Sequence, residues 1–143
     1  MKRKFYLIFA LWLITSSSYA EPKTASPTTP DVVGHWIFNK SETIQSLKNS
    51  EMSEKEVREF SSILRPQEIV ITETLYSVYR PNKEPIKTAY SIVDGPDSNG
   101  CFTLQFQNPS IPLDIQKHEF CVSDNRLFFP AVKGAKAVLD RKL

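Results

Sequence analysis

The chain has 143 residues, with 18 Lys and Arg against 16 Asp and Glu and only two Cys and two His. Those four side chains show no C-x-x-C or H-x-x-x-H spacing, so the sequence carries no zinc-site pattern. The net charge of +2 belongs to the N-terminus: Lys2, Arg3 and Lys4 precede the first acidic residue, Glu21, so residues 21–143 carry 15 basic against 16 acidic residues, a net of −1, and no basic surface remains to attract nucleic acid.

The chain opens "MKRKFYLIFALWLITSSSYA". A basic stretch, an apolar run from Phe5 to Ile14, and small residues at Ser18 and Ala20 form the layout of a secretory signal peptide over residues 1–20, cleaved after Ala20. The apolar run is shorter than the ~20 residues a bilayer span requires, and no cysteine follows it for lipid attachment. Export to the periplasm or the medium is expected, with no membrane span in the mature chain. Residues 21–30, "EPKTASPTTP", hold three prolines, three threonines and no large apolar side chain, the composition of a disordered leader. Residues 31–143 then suffice for one domain.

Val32 to Asn39 reads as a first strand, with Gly34, Trp36 and Phe38 on one face and Val33, His35 and Ile37 on the other. Ser41 is expected to cap a short helical turn carrying Ile44 and Leu47. A second helix follows from the capping box of Ser53 and Glu56, with Val57, Phe60, Ile63 and Leu64 as its apolar stripe and Pro66 as its stop. Glu54, Glu56 and Glu59, interleaved with Lys55 and Arg58, read as a solvated face rather than an acid–base pair.

Beyond Pro66 the pattern is β. "EIVIT" and "LYSVYR" are two strands around Glu73 and Thr74, or one long bent strand. "PNKEP" is a turn. In "IKTAYSIV", Ile86, Thr88, Tyr90 and Ile92 share a face. "DGPDSNG" is the strongest turn signal. "CFTLQFQ" sets Phe102, Leu104 and Phe106 on one face, "NPSIPLD" interrupts, and "KHEFCV" groups His118, Phe120 and Val122. "SDNR" is a hairpin turn before "LFFP", and "AKAVLDRKL" a last strand. The expectation is a mainly antiparallel β domain (α+β): an up-and-down barrel or strongly curved sheet of about eight strands, with a helix between strands 1 and 2.

Cys101 is out of phase with Phe102, Leu104 and Phe106, and Cys121 with Phe120 and Val122. If the aromatic faces point inward, both sulfurs point outward from adjacent strands, where a cross-strand disulfide is feasible given suitable register.

A first strand carrying G-x-W, an antiparallel run of about seven further strands and an arginine on the last strand resemble the lipocalin, or calycin, pattern, here at Gly34, Trp36 and Arg141. The resemblance implies that Trp36 closes one end of a barrel, that Arg141 packs across its indole, and that an apolar ligand binds inside. Glycine lets the backbone bend at the barrel base, and a guanidinium over an indole gains cation–π attraction.

No nucleophile stands beside a recognisable base. His35 and His118 lie in strand patterns without an acid at a telling spacing, and Asp94, Asp97 and Asp114 fall in turns, where aspartate serves turn hydrogen bonds. The expected role is therefore binding, without enzymatic activity, cofactor or metal. Phe38, Tyr90, Phe102, Leu104, Phe106 and Phe120 would line a pocket for a small apolar ligand, or simply fill a small barrel. The alternative is an extracytoplasmic protein partner, an inhibitor or immunity interaction, held through exposed loops at Tyr79, Arg80 and Ile111, since aromatic and arginine side chains dominate protein contacts.

Overall fold

The computed structural model describes residues 29–112 and 115–143; the expected signal peptide, residues 21–28 of the expected leader, and Asp114 lie outside them. Eight antiparallel strands close into a barrel in sequential order, the first pairing with both the second and the last. They are β1 (Gly34–Phe38), β2 (Glu68–Ile71), β3 (Leu75–Tyr79), β4 (Ile86–Asp94), β5 (Cys101–Phe106), β6 (Lys117–Ser123), β7 (Arg126–Pro130) and β8 (Lys136–Arg141). Of the two arrangements open for residues 68–79, the pair of strands is realised. Asp124 and Asn125 turn β6 into β7 with positive φ angles of 50° and 60°, a conformation Asn and Asp tolerate better than most residues.

The period-two reading of the faces holds around the barrel. Trp36 sits opposite Ile69, Tyr90 opposite Phe106, Ile92 opposite Leu104, Phe102 opposite Phe120, and Leu127 opposite Leu139. These residues form one core with Ile71 and Val32. The phase survives the register shift between Ile92 and Asp94 because Val93, half exposed, takes up the extra position.

Cys101 and Cys121 are direct cross-strand partners and are joined by a disulfide. The ladder bond beside them runs from the Val122 N–H to the Gly100 carbonyl, and the Cys101 N–H donates instead to Asp97 Oδ1 at 2.9 Å. The bridge therefore occupies a non-hydrogen-bonded pair, where side chains approach most closely.

One end of the barrel is sealed by Trp36 and Arg141. The indole is fully buried, and the Arg141 guanidinium carbon stands 4.2 Å from its centroid. Together the two side chains take up three consecutive carbonyls of the entering chain. Arg141 Nη2 donates to Asp31 O at 2.6 Å, Trp36 Nε1 to Val32 O at 3.0 Å, and Arg141 Nη1 to Val33 O at 3.1 Å. The glycine two places before the tryptophan has a steric reason: a Cβ at Gly34 would stand 2.7 Å from Arg141 Nη1.

Both helices lie between β1 and β2. The first, α1 (Lys40–Lys48), begins two residues earlier than a Ser41 cap requires: Asn39 is the N-cap, its Oδ1 accepting from the Glu42 N–H at 3.0 Å while its Nδ2 donates to Asp140 at 2.7 Å. Asn39 wins because Asp140 holds its side chain across the strand gap. Where β1 turns away, α1 continues the ladder with hydroxyls: Thr43 Oγ1 accepts from the Val138 N–H and Ser46 Oγ from the Lys136 N–H. The second helix, α2 (Glu54–Ile63), starts at the expected capping box. Its acidic face is solvated and paired, Glu54 with Arg58 and Glu59 with Lys55.

Glu56 also contacts Lys133. The hydrogen bond from Lys133, followed by those from the Ser53 backbone and hydroxyl, lowers its pKa from 4.5 to about 2. A folded-state value below the unfolded one means that this contribution to stability is present above pH 4.5 and is lost as the pH falls towards about 2. Glu56→Gln is expected to flatten the acid side of the melting-temperature profile between about pH 5 and pH 2; an identical acid limb in both proteins would contradict the assignment.

Candidate functional site

The end opposite Trp36 and Arg141 carries the helices, the 80–85 turn, the 107–116 connection and the 131–135 hairpin. Two cavities open there. The larger, about 410 Å³, lies between the barrel rim and the helix pair. Its barrel wall is Phe38, Phe129 and Ala137, its helical wall Leu47, Phe60 and Ile63, and Arg65, Gln67 and Arg80 stand on the connecting segments. The second, about 180 Å³, lies against β3 to β6 and is lined by Tyr76, Val78, Phe106 and His118 under a flap carrying Ile111, Ile115 and Gln116. Gln116 ties the flap down, its Nε2 donating to Asn108 O and Ile111 O. A third depression, about 360 Å³, is lined by Lys48, Met52, Glu54, Val57 and Arg58 of the helix pair, with no barrel residue in its wall.

A pile of aromatic rings floors the mouth. Tyr76 meets Phe106 edge-on at 5.0 Å, Phe106 stands 6.3 Å from Phe120, and Phe120 is 5.5 Å from Phe129. Burial pushes the Tyr76 phenol above its ordinary value, so it stays neutral. Tyr90 lies deeper and donates its hydroxyl to Thr72 O at 2.5 Å; burial first, and the charge of Glu73 second, raise its pKa as well.

The six expected lining residues therefore divide by depth. Tyr90, Phe102, Leu104 and Phe120 are at most 3% exposed and fill the barrel with one another. Phe38 and Phe106 face open space, Phe38 in the larger cavity and Phe106 in the smaller. The three expected contact residues come to the same end. Tyr79 and Arg80 line a depression of about 320 Å³ outside the rim with Ile37 and Pro66, and Ile111 is on the flap. Exposed apolar side chains concentrate here too: Ile37, Ile63, Tyr79, Ile86, Ile111 and Ile115.

The chain pattern gave no sign of Leu47, Phe60, Ile63 or Phe129 as site residues. The stripe on α2 was visible, yet only the fold shows that it buries Val57 against Leu47, Met52 and Ala135 and leaves Ile63 64% exposed above the mouth.

Other chemistry-bearing groups, His118 of the smaller cavity apart, lie elsewhere. His35 Nε2 is 2.5 Å from Glu68 Oε2, an acid brought from the neighbouring strand. His118 lies against the Phe106 ring at 5.4 Å. Asp94 and Asp97 accept turn N–H groups. Among the described residues, the group of donor side chains close enough to share an ion is Cys101, Glu119 and Cys121, and the disulfide takes both sulfurs. No helix among the described residues is long and apolar enough to cross a membrane. Comparison with known families, with curated proteins and with solved structures finds no significant match.

Proposed function

We propose that this protein is an exported, non-catalytic, lipocalin-like binding domain that holds a small apolar ligand at the mouth of its barrel. The observation that carries the reading is the cavity of about 410 Å³ between rim and helices. Its size falls in the ~300–1,000 Å³ range of small-molecule sites, and its walls are mainly apolar with a few polar groups, as such sites require. Phe38 and Phe129 in its wall, above a core filled by Tyr90, Phe102, Leu104 and Phe120, support a ligand held at the mouth rather than within the barrel. The Trp36–Arg141 seal at the other end agrees with the lipocalin pattern, and the disulfide suits an oxidising compartment.

A second reading is supported by the exposed rim. Tyr79, Arg80 and Ile111, with Ile37 and Ile115 nearby in the fold, form a surface on which an extracytoplasmic protein partner could seat.

Titration with N-phenyl-1-naphthylamine, a neutral dye that brightens in apolar surroundings, separates the two. Saturable binding near one dye per chain is expected. Ile63→Glu should weaken it about tenfold or more by placing a carboxylate in the apolar wall, with little change in melting temperature because the side chain is exposed. Absence of saturable binding, together with a stoichiometric protein captured by the mature, oxidised domain, would overturn the small-molecule reading in favour of the second.

A further inference from the structure

The larger mouth cavity has two arginines in its wall, Arg65 and Arg80, and no acidic residue. The other arginines among the described residues are engaged: Arg58 with Glu54, Arg126 with Glu42 and Asp140, and Arg141 with Trp36 and two carbonyls. Arg65 Nη1 is anchored on the Ser62 and Leu64 carbonyls at the end of α2. That leaves the rest of its planar fork unspent. Arg80 has no carboxylate partner and no side-chain hydrogen bond among the described residues. Lys40 Nζ adds a third positive charge 3.5 Å from Leu64 O. This cluster stands on a domain whose mature net charge is −1, so it is a local feature rather than part of a generally basic surface.

Resting on the reading of this cavity as the ligand site, we infer that the ligand is an amphiphilic anion. It is a single apolar chain or ring system ending in a carboxylate, sulfate or phosphate. The apolar body lies against Phe38, Leu47 and Phe129, and the anionic group lies at the rim, within reach of Arg65 and Arg80. Guanidinium forks match such oxygens in geometry as well as charge. Both arginines are exposed to solvent, so a neutral end gains nothing from them and a cationic end is repelled, whereas an anionic end gains two charge-assisted contacts. The source is the free, monomeric amphiphile, because the apolar walls form a concave site of about 410 Å³, the size of one small molecule, rather than a flat face for a bilayer.

The test displaces bound N-phenyl-1-naphthylamine with three sub-micellar compounds that share one tail: dodecyl sulfate, dodecanol and dodecyltrimethylammonium. Trp36 emission, at the opposite end of the barrel, confirms that the fold is intact. In the unaltered protein dodecyl sulfate should displace the dye at about tenfold lower concentration than dodecanol, as a charge-assisted contact predicts, with the cationic compound weakest. In the double variant Arg65→Gln, Arg80→Gln the dye should still bind, and dodecyl sulfate should fall to the level of dodecanol. Equal displacement by the anion and the alcohol in the unaltered protein, or a preference that persists in the double variant, would overturn the assignment of the head group while leaving the cavity reading standing. Failure of the dye itself to bind removes both. Sedimentation with phosphatidylglycerol vesicles in place of displacement by monomers would overturn the free amphiphile in favour of a membrane surface.

Discussion

Arg141→Ala is expected to destabilise the domain by about 2–5 kcal/mol and to move the emission of Trp36 to the red. The estimate follows from what the side chain does. Its two donated bonds, to Asp31 O and Val33 O, are bonds from a charged donor, each worth about 1.5–3 kcal/mol when protected, and the one to Asp31 is discounted because it is exposed. The cation–π contact with Trp36 adds about 0.5–2 kcal/mol. Loss of the guanidinium opens the seal, and water reaches an indole that is otherwise fully buried. Arg141→Lys should recover only part of the loss, because one ammonium cannot span two carbonyls and a ring. Gly34→Ala should act in the same direction but by less, since the new methyl would stand 2.7 Å from Arg141 Nη1 and displace the end of that side chain. Trp12 lies in the expected signal peptide, so Trp36 alone reports in the mature protein. An unchanged spectrum and melting temperature for Arg141→Ala would refute the closed-end account.

Removing the disulfide has an effect of similar size. Cys101 and Cys121 are 20 residues apart, and in the chain-entropy model closing such a loop stabilises by roughly 3 kcal/mol through restriction of the unfolded chain. The pair points out of the barrel and both positions are partly exposed, so serine at each leaves no cavity. The double variant Cys101→Ser, Cys121→Ser should lose about 2–3 kcal/mol in urea or thermal unfolding. The unaltered protein under reductant should match it, and the variant should ignore reductant. A melting temperature indifferent to reduction would show that the bridge constrains nothing.

Much of the barrel was legible in the chain because β side chains alternate with a strict period of two. Phe102, Leu104 and Phe106, then His118, Phe120 and Val122, announced one face each, and the cysteines fell out of phase with both. Gly34, Trp36 and Arg141 were readable as a set only through their resemblance to the lipocalin pattern; the steric reason, the Arg141 guanidinium lying where a Cβ at Gly34 would crowd it, is visible only in the fold. The cap of α1 was misread as Ser41 because the residue that holds Asn39 in place, Asp140, is a hundred residues away in sequence. The mouth was illegible for the same reason. Chain order puts the helix pair at the end where β1 finishes, but whether Phe38 faces a void or a neighbour, and whether Ile63 is covered, depends on how the pair leans on the rim. That is set by contacts of α1 with β8, through Thr43 and Ser46, and no periodicity records them. The division of the expected lining into a filled core and an open rim likewise depends on ring packing across the barrel.

The central claim is that the ligand sits at the mouth, between rim and helices, and not within the barrel. Amide and methyl NMR of the isotope-labelled mature domain, titrated with N-phenyl-1-naphthylamine, tests it most directly. The account predicts that shifted resonances and dye-to-protein contacts gather at Phe38, Leu47, Phe60, Ile63, Phe129 and Ala137, while Tyr90, Phe102, Leu104 and Phe120 stay unmoved. Contacts concentrated on those four core residues, or no localised shift at saturating dye, would contradict it.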